Sequence, residues 1–193
     1  LRRLYQKIDR FVCVSQYSAD EFCEWSGVRP SKVQVIYNGV SRVFLDADAR
    51  QDSASPYVLY PGNYRGYKNL DRLLSAYATS TLPRNNIRLV LTGSGSPALQ
   101  KNIKELKLEP MVSFSGFLSE SSLLDLYRGA TGVVFVSLYE GFGFPALEAM
   151  ACGTPTIVSN RGALAEVAGD AATFVEPDEP ESIAEAIEKL LTD

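Results

Sequence analysis

A chain of 193 residues, 46% of them hydrophobic, can build one well-cored domain, or one domain with part of another. Its net charge of −4 and the lack of a long basic run argue against nucleic acid as a partner, so an anionic ligand would have to be met by local groups. There is no histidine, and Cys13, Cys23 and Cys152 lack ligand spacing, which argues against a zinc site; an odd number of thiols suits a reduced, cytoplasmic setting.

The opening reads as mid-fold. Arg10 to Ser15 is a short strand, Ser18 or Ser15 caps a helix from Ala19 to Trp25, and Gly27 ends it. Lys32 to Tyr37 is a second strand closing at the turn pair Asn38-Gly39. Asp46 to Pro56 is polar and reads as a linker, dividing residues 1–45 from 57–193. Beyond it strands and helices alternate: strand Tyr57 to Tyr60, helix Leu70 to Ala78, strand Arg88 to Thr92, helix Ala98 to Leu106, strand Val112 to Ser115 and helix Ser119 to Arg128. Strands Gly132 to Ser137, Thr156 to Ser159 and Ala172 to Val175 and a helix from Ile183 to Leu191 complete the series. This alternation predicts an α/β fold with a doubly wound, Rossmann-like parallel sheet. No run of about 18 apolar residues and no signal peptide is read, so a soluble protein is expected.

Ligands of such sheets bind outside the carboxyl ends of the strands. There the sequence places Glu140-Gly-Phe-Gly-Phe-Pro-Ala-Leu-Glu148, between the strand from Gly132 and the helix formers Ala146 to Ala151. Gly141 and Gly143 allow close backbone approach, Pro145 suits a helix's first turn, and the free amides of that turn favour an anion such as a phosphate. A carboxylate does not bind phosphate, so Glu140 and Glu148 are read as acceptors for hydroxyls, a combination that fits a sugar nucleotide. A structural turn with solvated glutamates is the bland alternative. In the loop from Gly62 to Asn69, Arg65 and Lys68 can face a diphosphate, although isolated loop cations are often only solvated. Thr92 to Gly95 is a second glycine turn, read equally as structural or as backbone contact.

The stretch Ser137 to Pro155, with Asn38-Gly39-Val40, Gly62 through Lys68-Asn69, Phe114 to Phe117 and Glu166 to Asp170 in order, resembles retaining GT-B glycosyltransferases of the glycogen-synthase-like and mannosyltransferase-like group, glycosyltransferase family 4. The resemblance implies that residues 57–193 are the carboxy-terminal, donor-binding half and 1–45 the last part of an acceptor domain, most of which lies outside this chain. By resemblance Glu140 contacts the transferred sugar near its reacting carbon, and the amides around Phe142, Gly143 and Phe144 meet the sugar or distal phosphate. Glu148 accepts from the ribose hydroxyls. Gly116 and Phe117 belong to the nucleobase-contacting segment, though Phe117 is read equally as core. Lys68 matches the family's lysine, whereas Tyr67 stands where an arginine is common, so Arg65 is the substitute. Arg161 is read first as a surface charge.

The implied reaction is transfer of a sugar from a nucleotide diphosphate to a glycan or lipid-linked acceptor with retained anomeric configuration. Lys68, Arg65 and the helix amides would stabilise the leaving diphosphate, so neither a metal nor a cofactor is expected. With no histidine here, proton transfer falls to carboxylate, lysine or tyrosine, or to another domain, and the isolated chain is expected to bind donor yet be nearly inactive. Alternatives are a non-catalytic nucleotide-binding module and a GT-B-like epimerase or phosphorylase; peripheral membrane contact is left to the rest of the protein.

Overall fold

A computed structural model describes residue 5 and residues 7–45 and 55–191. The expected linker, apart from Ser55 and Pro56, lies outside these described residues.

The first unit is β1 (Phe11–Cys13), α1 (Gln16–Ser26) and β2 (Val33–Val35), with β1 and β2 parallel and Phe11 opposite Val33. Both strands are shorter than expected, β1 because Ser15 leaves it to become the helix cap. Its Oγ accepts from the Ser18 amide at 3.0 Å, so α1 starts three residues before Ala19. Gly27, in the left-handed region at φ 73°, ends the helix as expected. Parallel sheets are normally covered on both faces, yet Val12, Ile36 and Tyr37 stand exposed here.

A short helix not evident from sequence, α2 (Arg42–Leu45), buries Phe44 against the larger unit. That unit runs β3 (Tyr57–Tyr60), α3 (Leu70–Thr79), β4 (Arg88–Leu91), α4 (Pro97–Glu105), β5 (Val112–Phe114), α5 (Glu120–Gly129), β6 (Gly132–Phe135), α6 (Phe144–Ala151), β7 (Thr156–Ser159), α7 (Ala163–Ala168), β8 (Thr173–Val175) and α8 (Pro180–Lys189). The six strands are parallel in the order β5-β4-β3-β6-β7-β8. β3 alternates between two cores, sending Val58 and Tyr60 into one and Tyr57 and Leu59 into the other. Leu73, Leu74 and Tyr77 on α3 and Ile183 and Ile187 on α8 fill the first, each worth about 1.5–3 kcal/mol of burial.

β6 stops at Phe135, two residues short of the expected end. Side chains take over its carbonyls there: Asn69 Nδ2 donates to Val136 O at 3.1 Å and Ser159 Oγ to Ser137 O at 2.6 Å. The winding reverses between β3 and β6, which are paired Val58 to Gly132, so their carboxyl-end loops diverge and leave a crevice between them.

Candidate functional site

The loop after β3 ends in a 3-10 turn, Gly66–Lys68, closed by Asn69 in the left-handed region at φ 62°. The Asn69 side chain, which also donates to Pro177 O at 2.6 Å, fixes the end of this loop against the loops after β6 and β8. Leu138 N donates to Tyr67 O at 2.8 Å, joining the same two crevice loops. Lys68 is consequently buried, with Nζ 2.5 Å from Glu140 Oε1 and 4.7 Å from the centroid of the Phe135 ring. The two side chains are 9% and 14% exposed, so this is a desolvated ion pair whose members depend on each other. Lysine from the β3 loop and carboxylate from the β6 loop meet across the switch point.

The turn after Glu140 is pinned on both sides. Ser15 Oγ and Ser18 Oγ donate to Gly141 O at 2.8 and 2.9 Å, and Ala163 N donates to Glu140 O at 3.4 Å. Gly143 is required outright: its φ is 109°, and a Cβ there would lie 2.4 Å from Leu164 Cδ2. Its carbonyl accepts from Ala146 and Leu147, opening α6 with Pro145 in the first turn. Among the described residues the amides of Gly141, Phe142, Gly143 and Phe144 donate to no protein acceptor, which leaves a set of donors beside a helix amino terminus.

One turn further along α6, Glu148 lines a cleft of about 540 Å³ together with Gly62, Gly116, Phe117, Tyr127 and Pro145. Burial raises the Glu148 pKa above the usual carboxylate range. A hydrogen bond from Tyr127 opposes that rise, and the charge of Glu120 adds to it. The bond runs from Tyr127 Oη to Glu148 Oε2 at 2.8 Å. Burial first, and then the Glu148 charge, raises the Tyr127 pKa, so the phenol stays a donor.

Tyr127 is the site residue that sequence reasoning misses. It stands in a Leu123-Leu124-Tyr127 stripe that reads as core, and its fully buried ring is core; only the tertiary pairing with α6 shows the role of its hydroxyl. Phe117, by contrast, is not core: it is 95% exposed at the cleft, because the chain turns outward at Gly116, where φ is 71°.

The other expected residues scatter. Arg65 is exposed and borders a hollow of about 130 Å³ with Asp71 and Ser96; like Lys68, Glu140 and Gly141 to Phe144, it does not line the larger cleft. Arg161 pairs with Asp178 at 2.5 Å, and Arg72 joins the same carboxylate at 3.1 Å. Glu166 turns away to the first unit, accepting from the amides of Gln16 at 2.6 Å and Tyr17 at 2.9 Å. Burial would raise its pKa, but those amides and the Tyr37 hydroxyl outweigh it and hold the value below the usual range. The three cysteines are free thiols. Among the described residues no cluster of acidic, cysteine or histidine side chains could hold a metal, and no helix is long and apolar enough to cross a membrane.

Against known proteins, a family described as Glycosyl transferases group 1 matches residues 42–193, and Glycosyltransferase Family 4 matches 1–43. An uncharacterized glycosyltransferase of Methanocaldococcus jannaschii is 32% identical over 94% of this chain and 50% of its own length. A serotype-specific mannosyltransferase of Escherichia coli is 31% identical over 98% of this chain and 25% of its own length. The chain thus spans half or less of these two relatives. Among solved structures, sucrose-phosphate synthase of Thermosynechococcus elongatus superposes on the whole chain and 51% of its own, with TM-score 0.80 and 25% identity. Anabaena HepE, solved in complex with UDP and glucose, covers 96% of this chain and 54% of its own, with TM-score 0.82 and 23% identity.

Proposed function

Starting from the fact that the chain belongs to the glycosyl transferases group 1 family and has a GT-B-type Rossmann-like half, we propose that residues 57–193 bind a nucleotide diphosphate sugar as donor. Residues 1–45 then belong to the acceptor-side domain, and the whole protein transfers the sugar to a glycan or lipid-linked acceptor with retention, in polysaccharide biosynthesis. The observation that carries this reading is the arrangement at the β3/β6 switch point: a buried Lys68–Glu140 pair, unpaired turn amides, and a cleft floored by Glu148. The names of the mannosyltransferase relatives and the UDP and glucose held by HepE support it.

In this reading nucleobase and ribose occupy the cleft, with Phe117 against the base and Glu148 accepting from the ribose. Lys68 and the amides of Gly141 to Phe144 stabilise the departing diphosphate, and Glu140 meets the sugar hydroxyls. Metal independence rests on those cationic and amide groups. The chain does contain one Asp-x-Asp triplet, Asp46-Ala47-Asp48, which in sequence belongs to the stretch read as linker and to none of the loops that follow the strands of the larger sheet. The exposed two-stranded sheet fits an acceptor domain that continues beyond this chain.

The test is calorimetric titration with GDP-, UDP- and dTDP-sugars, with and without EDTA. One donor is expected to bind selectively and regardless of EDTA, and Glu148→Ala to weaken it by about 1–3 kcal/mol. Unchanged affinity in the variant would remove Glu148 from the site, and loss of binding with EDTA would overturn metal independence.

A further inference from the structure

Tyr127 has more than a packing role. Its ring is fully buried and meets Phe44 of α2 edge-on, at 5.8 Å between centroids and 80° between planes. Its backbone is held as well, since Thr154 Oγ1 donates to Tyr127 O at 2.7 Å. A ring gripped on that side and tied through its main chain has one orientation for its hydroxyl, and that orientation ends 2.8 Å from Glu148 Oε2. Among the described residues no cation pairs with Glu148. The charge of Glu120 on α5 acts on it, and the Arg128 cation, which acts on the neighbouring Cys152 thiol, makes no ion pair with Glu148. A part-buried carboxylate without a cation depends on its hydrogen-bond donors for both orientation and charge, and here the donor is a phenol.

We propose that Tyr127 is a positioning residue for the nucleotide's ribose: it fixes Glu148 Oε2 and thereby presents Oε1 to the 2′- and 3′-hydroxyls, with Phe44 holding the ring in place. The proposal rests on the donor-site reading and extends it to a residue that does not itself touch the ribose. It also ties ribose recognition to α2, which immediately precedes the linker. A nucleotide whose ribose lacks both hydroxyls gains nothing from an oriented Glu148, so Tyr127 should matter for the ribose form alone.

The experiment is calorimetry on the 193-residue chain, using GDP and UDP beside their 2′,3′-dideoxy forms. The chains compared are wild type, Tyr127→Phe, Glu148→Gln and the double variant, with Phe44→Leu as a second way to loosen the ring. Tyr127→Phe keeps the ring, and its circular-dichroism melt serves as the folding control. The expected result is that Tyr127→Phe weakens the ribose form about tenfold, leaves the dideoxy form unchanged, and adds nothing on top of Glu148→Gln. Phe44→Leu should give a smaller loss, again confined to the ribose form. Equal losses for ribose and dideoxy forms would make Tyr127 a packing residue only and overturn the proposal, as would no loss at all. If instead wild type and Glu148→Gln bind the ribose form alike, it is the assignment of Glu148 that fails, and the proposal falls with it.

Discussion

Glu140 and Glu148 are the same residue type on either side of one glycine turn, and the fold gives them different surroundings. Glu140 lies against the Lys68 ammonium at 2.5 Å, in a pair that is almost closed to solvent. Glu148 accepts directly from a neutral phenol at 2.8 Å beside the cleft that both line, with burial pushing its pKa up. A carboxylate neutralised by lysine holds its geometry through charge, and any ligand that engages either partner must share that pair. A carboxylate held by a phenol keeps its negative charge available to a hydroxyl donor. The contrast comes from position: Glu140 stands where two crevice loops cross, whereas Glu148 has climbed a turn of α6 towards α5.

The largest effect expected from breaking this contrast is at the ion pair. Lys68→Met leaves Glu140 buried without its cation and should lower unfolding free energy by about 3–5 kcal/mol in urea titration, with Glu140→Gln added to it restoring part of the loss. A stability equal to wild type would reduce the pair to a surface-type contact. The turn joining the two carboxylates comes next. Gly143→Ala forces a side chain into φ 109° and against Leu164, at a cost of about 1–3 kcal/mol for the backbone alone. Leu164→Ala in the same chain should relieve the clash and leave that backbone cost, as read from the two melting curves.

Glu148 supplies a subtler test through pH. Its pKa is raised by burial, so donor affinity should fall as pH is lowered through a value above the ordinary carboxylate range, because the protonated group loses its charge as an acceptor. In Glu148→Gln that dependence should vanish; a profile that stays the same would assign it elsewhere. Glu166 behaves in the opposite sense and should give the smallest effect. Backbone amides hold its pKa down, so its contribution to stability is full above the unfolded-state pKa and is lost as pH falls through the lower folded value. Glu166→Gln should flatten that acid limb in pH-dependent melting, and an unaltered limb would detach Glu166 from α1.

The layered architecture was legible in the amino-acid pattern. Strands Tyr57–Tyr60 and Thr156–Ser159 begin and end where they were expected, because strands buried on both faces appear as short runs rich in apolar and β-branched residues. The glycine turn, Pro145 and the paired glutamates were equally legible, since each marks a backbone or chemical requirement that few other residues meet. Whatever depends on a partner distant in the chain came only with the folded arrangement. Ser15, not Ser18, caps α1, its Oγ accepting from the Ser18 amide, while both hydroxyls donate to Gly141 O, 126 and 123 residues away. Glu166 serves α1 and not the crevice, Arg65 stands outside the main cleft, and Phe117 is exposed. Tyr127 reads as core because a ring buried for packing and a ring placed to aim a carboxylate leave the same apolar spacing in a helix. What separates them is a 2.8 Å contact between α5 and α6, two helices that β6 separates in the chain.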